Sequence, residues 1–476
     1  VRPLEIAFWA ATAPVLLWCL SHRDLPAWVR VLSAVATALL VAHVATEGWR
    51  WHLVPAYLTV GYVFLTCVWP GPPRLEVGPA GAAVGLGLLA AAAGLAAAFP
   101  VFDLPKPTGR YPVGTVTLHR VDPARADPRT DRPDGRRELM IQVWYPAERP
   151  GPGHPYRQSA ETTFLSRHLS LVRTHAAYGV PVATDPGRHP VVVFAPSWGG
   201  CRGDNTTQAE ELASHGFVVV GIDHPYFTDR VVFPDGREAR TVFPEFLDYA
   251  TEETLAATRR TIEDTLTVRV ADARFVLDEV GRLDRADPGG IFTGRLDTSR
   301  IGMFGHSFGG AVSAEACLLD SRVAAGFNLD GFIFGRSLVE GPGKPFVFIT
   351  EDVPEPTQAD VANARNDAVR RRHTVYVENF SGIRSGLARV RGHYGVLRGG
   401  LHVNFGDAAY FSPIRRLRPV HDLPAGSIRP DRAMRILNTY LLSFFRKHLT
   451  GEDDGLFDSP SPFPELEIAR LADGGR

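Results

Sequence analysis

In Arg300-Ile-Gly-Met-Phe-Gly-His-Ser-Phe-Gly-Gly-Ala-Val312, a short apolar run passes through Gly305-His306-Ser307-Phe308-Gly309 into a stretch of helix formers that lasts to Leu319. Strand, tight turn and helix in that order give a G-x-S-x-G match its mechanical meaning. The serine occupies the apex of a turn so sharp that a side chain at either glycine would collide with adjoining backbone. Ser307 is thereby predicted to project above a sheet, with a helix N-terminus behind it where negative charge is favoured.

The flanking sequence supplies the rest of that sheet. Residues 323–329 and 345–350 read as strands downstream, and upstream the runs 190–196 and 217–222 are continuously apolar, as strands buried on both faces are. Between them a helix over 204–215 stops at Gly216, a natural C-cap. Residues 115–121 and 138–145 read as two early strands able to pair antiparallel across the turn-rich segment 122–135. Leu255, Ile262, Leu266, Val270 and Phe275 recur among charges over 251–282, which fits one or two amphipathic helices, and residues 434–449 carry the stripe of a closing helix. Short β-branched runs alternating with helices argue for an α/β class with a mostly parallel sheet covered by helices.

A serine hydroxyl is a weak nucleophile at neutral pH, so a histidine must take its proton and an acid must hold that histidine's tautomer. The expected chain order is Ser, then Asp or Glu, then His. Of His373, His393, His402, His421 and His448, His402 stands in a glycine-flanked turn, Gly399-Gly400-Leu401-His402-Val403-Asn404-Phe405, the setting of a loop-borne base. Asp330 and Asp352 each close a predicted strand, and periodicity does not separate them. The N–H of Phe308 and one at Trp198, in Pro196-Ser197-Trp198-Gly199-Gly200, are the candidate oxyanion donors.

These residues together resemble a family. Leu212-Ala-Ser-His-Gly-Phe-Val-Val-Val220, the GHSFGG core within residues 301–310, Phe327-Asn-Leu-Asp-Gly331 and Leu401-His-Val-Asn-Phe405 are similar to the platelet-activating factor acetylhydrolase group, plasma and isoform II type, of α/β-hydrolases. The resemblance spans most of residues 105–450. It implies the α/β-hydrolase fold, with Ser307 as nucleophile, Asp330 as acid, His402 as base, Phe308 and Trp198 as oxyanion donors, and no cofactor or metal. The oxyanion loop departs from the family's Ser-His-Gly-hydrophobe-Gly pattern, reading Ala195-Pro-Ser-Trp-Gly199, so acyl specificity is not carried over.

The first hundred residues are of another kind. Lysine is absent before Lys106, and the apolar stretches 4–20, 27–46, 53–69 and 79–99 follow one another. Each approaches the roughly 20 residues that a helix needs to cross about 30 Å of hydrocarbon. Six of the eight tryptophans fall in this quarter, mostly near segment ends, where amphipathic rings favour the membrane interface. The expected organisation is a transmembrane region over 1–104, of about four spans with the Ala/Gly-rich fourth the weakest and three as the alternative count, followed by a catalytic domain over 105–476. The loop arginines divide between Arg23, Arg30 and Arg74 on one face and Arg2 and Arg50 on the other, and the working expectation sets the catalytic domain outside the cytoplasm.

With 51 basic against 52 acidic side chains, no global field gathers nucleic acid. Four cysteines do not make a disulfide scaffold, although Cys201 and Cys317 could pair, and no Cys/His spacing suggests zinc. The sequence therefore implies a multi-pass membrane protein that hydrolyses short acyl esters of lipids or other small amphiphiles through an acyl-serine. An acyltransferase on the same triad, or a non-catalytic membrane sensor or scaffold, are the alternatives. A lid within 226–254 is a further expectation.

Overall fold

The Val- and Ile-rich runs of the polar part pair into one sheet in the computed structural model, which describes residues 2–22, 24–69, 78–130, 132–241, 248–413 and 424–472. Eight strands carry the architecture: β1 Val113–Ala126, β2 Arg136–Pro146, β3 His189–Ala195, β4 Val218–Asp223, β5 Leu296–His306, β6 Val323–Leu329, β7 Phe346–Glu351 and β8 His393–Leu397. Their order across the sheet is β1-β2-β4-β3-β5-β6-β7-β8, with short strands added at both edges. β2 runs antiparallel to both β1 and β4, and the strands from β4 to β8 are parallel to one another. The antiparallel pairing expected for the first two strands is present, with Leu118 opposite Ile141.

β3 and β4 are buried along their whole length, which explains why they read as unbroken apolar runs rather than as alternating ones. Helix Thr206–Ser214 connects them. The amphipathic stretch after residue 250 forms a single helix, Glu252–Arg285, started by Thr251, whose hydroxyl accepts from the Thr254 N–H. Helix Phe308–Leu319 follows β5 directly, and helix Pro430–Phe445 closes the chain's helical layer with Ile436, Leu437, Tyr440, Leu441 and Phe444 buried.

By packing, the chain divides into two compact units: Val1–Asp103 with Pro155–Arg173 and Tyr410–Arg415, and Leu104–His154 with Thr174–Ala409 and Arg416–Arg476. In the first unit, helices Pro3–Ser21, Ala27–Thr46, Val54–Cys67 and Pro79–Ala98 pack around Phe8, Val15, Leu16, Val29, Val60 and Ala92. Three of them, Pro3–Ser21, Ala27–Thr46 and Pro79–Ala98, are long and apolar enough to cross a membrane. About four such helices were expected; among the described residues three qualify. Helix Val54–Cys67 has 14 residues, about 21 Å at 1.5 Å per residue, too short for the hydrocarbon core. The Ala/Gly-rich segment expected to be the weakest qualifies, because its 20 residues carry no charge.

Polar side chains pin this bundle at one end. Arg50 and Glu5, both fully buried, pair at 2.5 Å, and the second Arg50 amino group donates to the Phe99 carbonyl. His43 lies between Glu47 at 2.8 Å and the Tyr57 hydroxyl at 2.9 Å. The segments 155–173 and 410–415 join the unit through Arg2 donating to the Leu171 carbonyl, Trp51 stacked on Phe164, and Ser412 donating to the Ala98 carbonyl. Arg23 and Arg74, used to reason about orientation, lie outside the described residues.

Candidate active site

The turn after β5 is built from close approaches. A Cβ at Gly305 would lie 2.0 Å from the Gly309 carbonyl carbon, and one at Gly309 would lie 1.9 Å from the Ala195 carbonyl oxygen at the end of β3. Only hydrogen fits at either position. Ser307 sits between them at φ 55° and ψ −125°, strained for a residue with a side chain. Its N–H donates to the Leu329 carbonyl at 2.8 Å, which ties the turn to the end of β6. Ser307 is thus carried at the C-terminal edge of the sheet, just before helix Phe308–Leu319.

Asp330, at φ 56°, follows β6. Its Oδ2 lies 2.6 Å from His402 Nδ1, while its Oδ1 accepts from the Thr350 hydroxyl and the Glu351 N–H, both at 2.9 Å. Burial alone would raise this carboxyl, but the hydrogen bond and charge of His402 with those two donors hold it below the ordinary range. His402 shows the converse: burial lowers it, and the bond and charge of Asp330 more than offset that and raise it. The His402 turn is clamped by Asn404, whose Oδ1 accepts from the N–H groups of Leu401 at 3.0 Å and Gly426 at 2.7 Å. That clamp is the physical content of the HxNF pattern.

Asp352, the rival acid, is elsewhere engaged. It accepts from Arg398 at 2.8 Å and from the Gly399 N–H at 2.9 Å, at the entrance of the loop that carries His402. The other histidines are not at this site: His373 faces the Asp360 carbonyl, His393 begins β8, His448 is in the last helical turn, and His421 lies outside the described residues. Trp198 and Phe308 meet edge to face at 4.9 Å, so the two segments expected to supply oxyanion donors adjoin. Within the region expected to hold a lid, residues 230–232 and 238–240 form a two-stranded ribbon; 242–247 lie outside the described residues.

Two participants were not anticipated. His306 is buried, its imidazole pushed down to about 3 by burial, and its Nε2 bonds the His402 carbonyl at 3.1 Å. Glu351 accepts the His402 N–H at 2.8 Å, and burial together with the Asp330 charge pushes it up to about 7. A sequence signal existed for Glu351: an ionisable residue ending the strand beside that of the acid. Glu351→Gln keeps the acceptor and removes the charge that adds to the basicity of His402. The acid limb of the kcat/KM profile, where His402 loses its proton, should therefore move to lower pH. Because the folded-state value of Glu351 is raised, its stability contribution is lost as pH rises from the ordinary carboxyl range through about 7. Thermal unfolding at pH 8 should accordingly show a higher Tm for the variant, with little change at pH 4.

Among the described residues, one group of potential metal ligands converges, Glu5, His43 and Glu47, with atoms within 4.8 Å of one another. Its members are already engaged with Arg50, Tyr57 and each other, so they read as bundle pins. Cys201 and Cys317 are not joined by a disulfide; the Cys201 thiol donates to the Asp204 carboxylate at 3.3 Å.

The strand order and the tight turn after β5 are those of the α/β-hydrolase fold, and the family and relatives that the chain matches make it a carboxylic ester hydrolase of that fold. A solved ferulic acid esterase from Streptomyces cinnamoneus shares the fold with a TM-score of 0.58 and 29% identity, covering 78% of this chain and all of that one. Residues 100–233 and 290–459 match the family described as platelet-activating factor acetylhydrolase, isoform II, and the chain belongs to it. A probable 1-alkyl-2-acetylglycerophosphocholine esterase from Arthroderma benhamiae is 26% identical over 413 residues, 77% of this chain and 93% of the relative. A platelet-activating factor acetylhydrolase from Cavia porcellus is 24% identical over 375 residues, 73% of this chain and 78% of the relative.

Proposed function

We propose that this chain is a membrane-anchored serine hydrolase that removes short acyl groups from lipid or other amphiphilic esters through an acyl-Ser307 intermediate. The observation that carries the reading is the 2.6 Å contact of His402 Nδ1 with Asp330 beside the strained Ser307 turn. Asp330 accepts from Nδ1–H and leaves Nε2 as the base. Ser307 Oγ attacks the ester carbonyl as His402 takes its proton, and the Phe308 and Trp198 N–H groups stabilise the oxyanion. His402 then returns the proton to the departing alcohol, and water repeats the sequence to release the acid. No metal or cofactor enters.

Short acyl preference is supported by the names of the two relatives, an acetylglycerophosphocholine esterase and an acetylhydrolase. Residues 1–104 would hold the catalytic domain, 105–476, at a membrane, where an amphiphilic ester is concentrated. Peptide mapping after fluorophosphonate treatment of the detergent-solubilised chain should find the adduct on Ser307, and an acyl panel should favour acetyl over octanoyl. Folded protein without label would reject the reading.

Multi-pass insertion, with the catalytic domain on the extracytoplasmic face, makes a separate expectation. After an alkaline carbonate wash the full chain should stay in the membrane pellet and leave it only in detergent. Release by carbonate would mean peripheral attachment, and proteolysis of sealed vesicles of known orientation reads the side.

A further inference from the structure

Helix Glu252–Arg285 places one charged side chain under the oxyanion loop. Arg269 is 1% exposed, and among the described residues its guanidinium hydrogen-bonds main-chain carbonyls and makes no direct ion pair with a carboxylate. Nη2 donates to the Pro196 carbonyl and Nη1 lies 3.4 Å from the Ser197 carbonyl, while the guanidinium carbon sits 5.1 Å over the Phe308 ring. Burying a cation is costly unless its donors are used, and the partners used are the loop after β3 and the residue after Ser307.

The geometry has a direct consequence for the N–H of Trp198. A trans peptide is planar, and its C=O and N–H point to opposite sides. The Ser197 carbonyl and the Trp198 N–H belong to one such unit, so holding that oxygen toward the helix aims the N–H away from it. The Gly200 N–H, at 3.1 Å, supports the same oxygen. Donation into the carbonyl also polarises the amide and strengthens its N–H as a donor. The second oxyanion donor, Phe308 N–H, belongs to the residue whose ring the same guanidinium covers. Here the chain reads Pro196-Ser197-Trp198, and Arg269 lies in 234–289, between the two segments matched to the family.

We infer that Arg269 is the positioning residue of the oxyanion site: one buried guanidinium orients the Trp198 peptide from below and packs Phe308 beside it. This rests on the acyl-Ser307 reading and names the device that pre-aims its donors.

The test uses the full detergent-solubilised chain and the variants Arg269→Gln and Arg269→Lys, the second retaining the buried charge so that a folded variant is in hand. Active sites are counted by the end point of fluorophosphonate labelling, so that rates refer to folded enzyme only. For Arg269→Gln we expect kcat per titrated site on 4-nitrophenyl acetate to fall about 10²-fold, the loss typical of one oxyanion donor, with KM little changed. Arg269→Lys, able to reach one carbonyl but not both, should fall in between. Affinity for a trifluoromethyl ketone, whose carbonyl becomes an oxyanion when Ser307 Oγ adds and His402 takes the proton, should drop by the same factor as kcat/KM. The pH at half-maximal kcat/KM should stay put, because His402 is untouched.

If titrated variants keep wild-type kcat and ketone affinity, Arg269 only supports folding and the inference is wrong. A rise in KM with kcat unchanged would also overturn it. Failure of the parent reading looks different: the wild-type chain itself would not label at Ser307.

Discussion

Ser307→Ala is expected to abolish ester turnover and fluorophosphonate labelling, and His402→Ala to do nearly the same. Where a serine and its base act as a unit, losing either costs roughly 10⁶ in kcat, and the residual rate comes from binding and oxyanion stabilisation. The two variants should therefore sit at a similar floor, and the double variant should be no slower than either alone. Folding should survive in Ser307→Ala. The turn holds residue 307 at φ 55° whether it is serine or alanine, and the close approaches that force it belong to Gly305 and Gly309. An unchanged Tm alongside lost turnover separates chemistry from stability. Activity above a tenth of wild type in either single variant would dismiss the assignment of nucleophile and base.

Much of this site was legible in the sequence because the constraints on it are local. Gly305 and Gly309 exist where they do because backbone lies within about 2 Å of any Cβ placed there, and that requirement prints itself as G-x-S-x-G. The buried parallel strands β3 and β4 print as apolar runs for a similar reason. Asp330 and Asp352 could not be told apart from residues alone, because both end strands and what separates them is lateral: β6 lies next to β5, and Asp352 faces Arg398 across from β8. Glu351 carried a signal as an ionisable residue ending the strand beside that of the acid, whereas Arg269 carried none, since its partners are main-chain carbonyls far away in the chain. A backbone carbonyl carries no residue signature, so no spacing rule points at it. In the apolar quarter, composition located all four helices, but it did not show that residues 51–53 form a separate short turn and leave 14 residues for the helix that follows.

Asp330→Asn should cost about 10⁴ in kcat/KM, the loss associated with a wrong imidazole tautomer, whereas Asp352→Asn should cost less than about tenfold. The direction follows from the donors around the carboxylate. Oδ1 accepts from both the Thr350 hydroxyl and the Glu351 N–H. In the asparagine variant those two donors demand that the amide oxygen take the Oδ1 place, which sends the NH2 to the Oδ2 place, 2.6 Å from His402 Nδ1. Two donors cannot face each other, so Nδ1 must give up its proton and accept. The proton then resides on Nε2, the nitrogen needed to take the proton of Ser307, and the base is blocked without any atom having moved far. Asp352 bonds Arg398 and the Gly399 N–H. Its amide can still accept from Gly399 through oxygen, so the loop keeps its path and His402 its tautomer. Steady-state rates on 4-nitrophenyl acetate, with labelling rates as a second readout, decide between them. The reverse ranking would transfer the acid's role to Asp352 and leave the short Asp330 contact as structural.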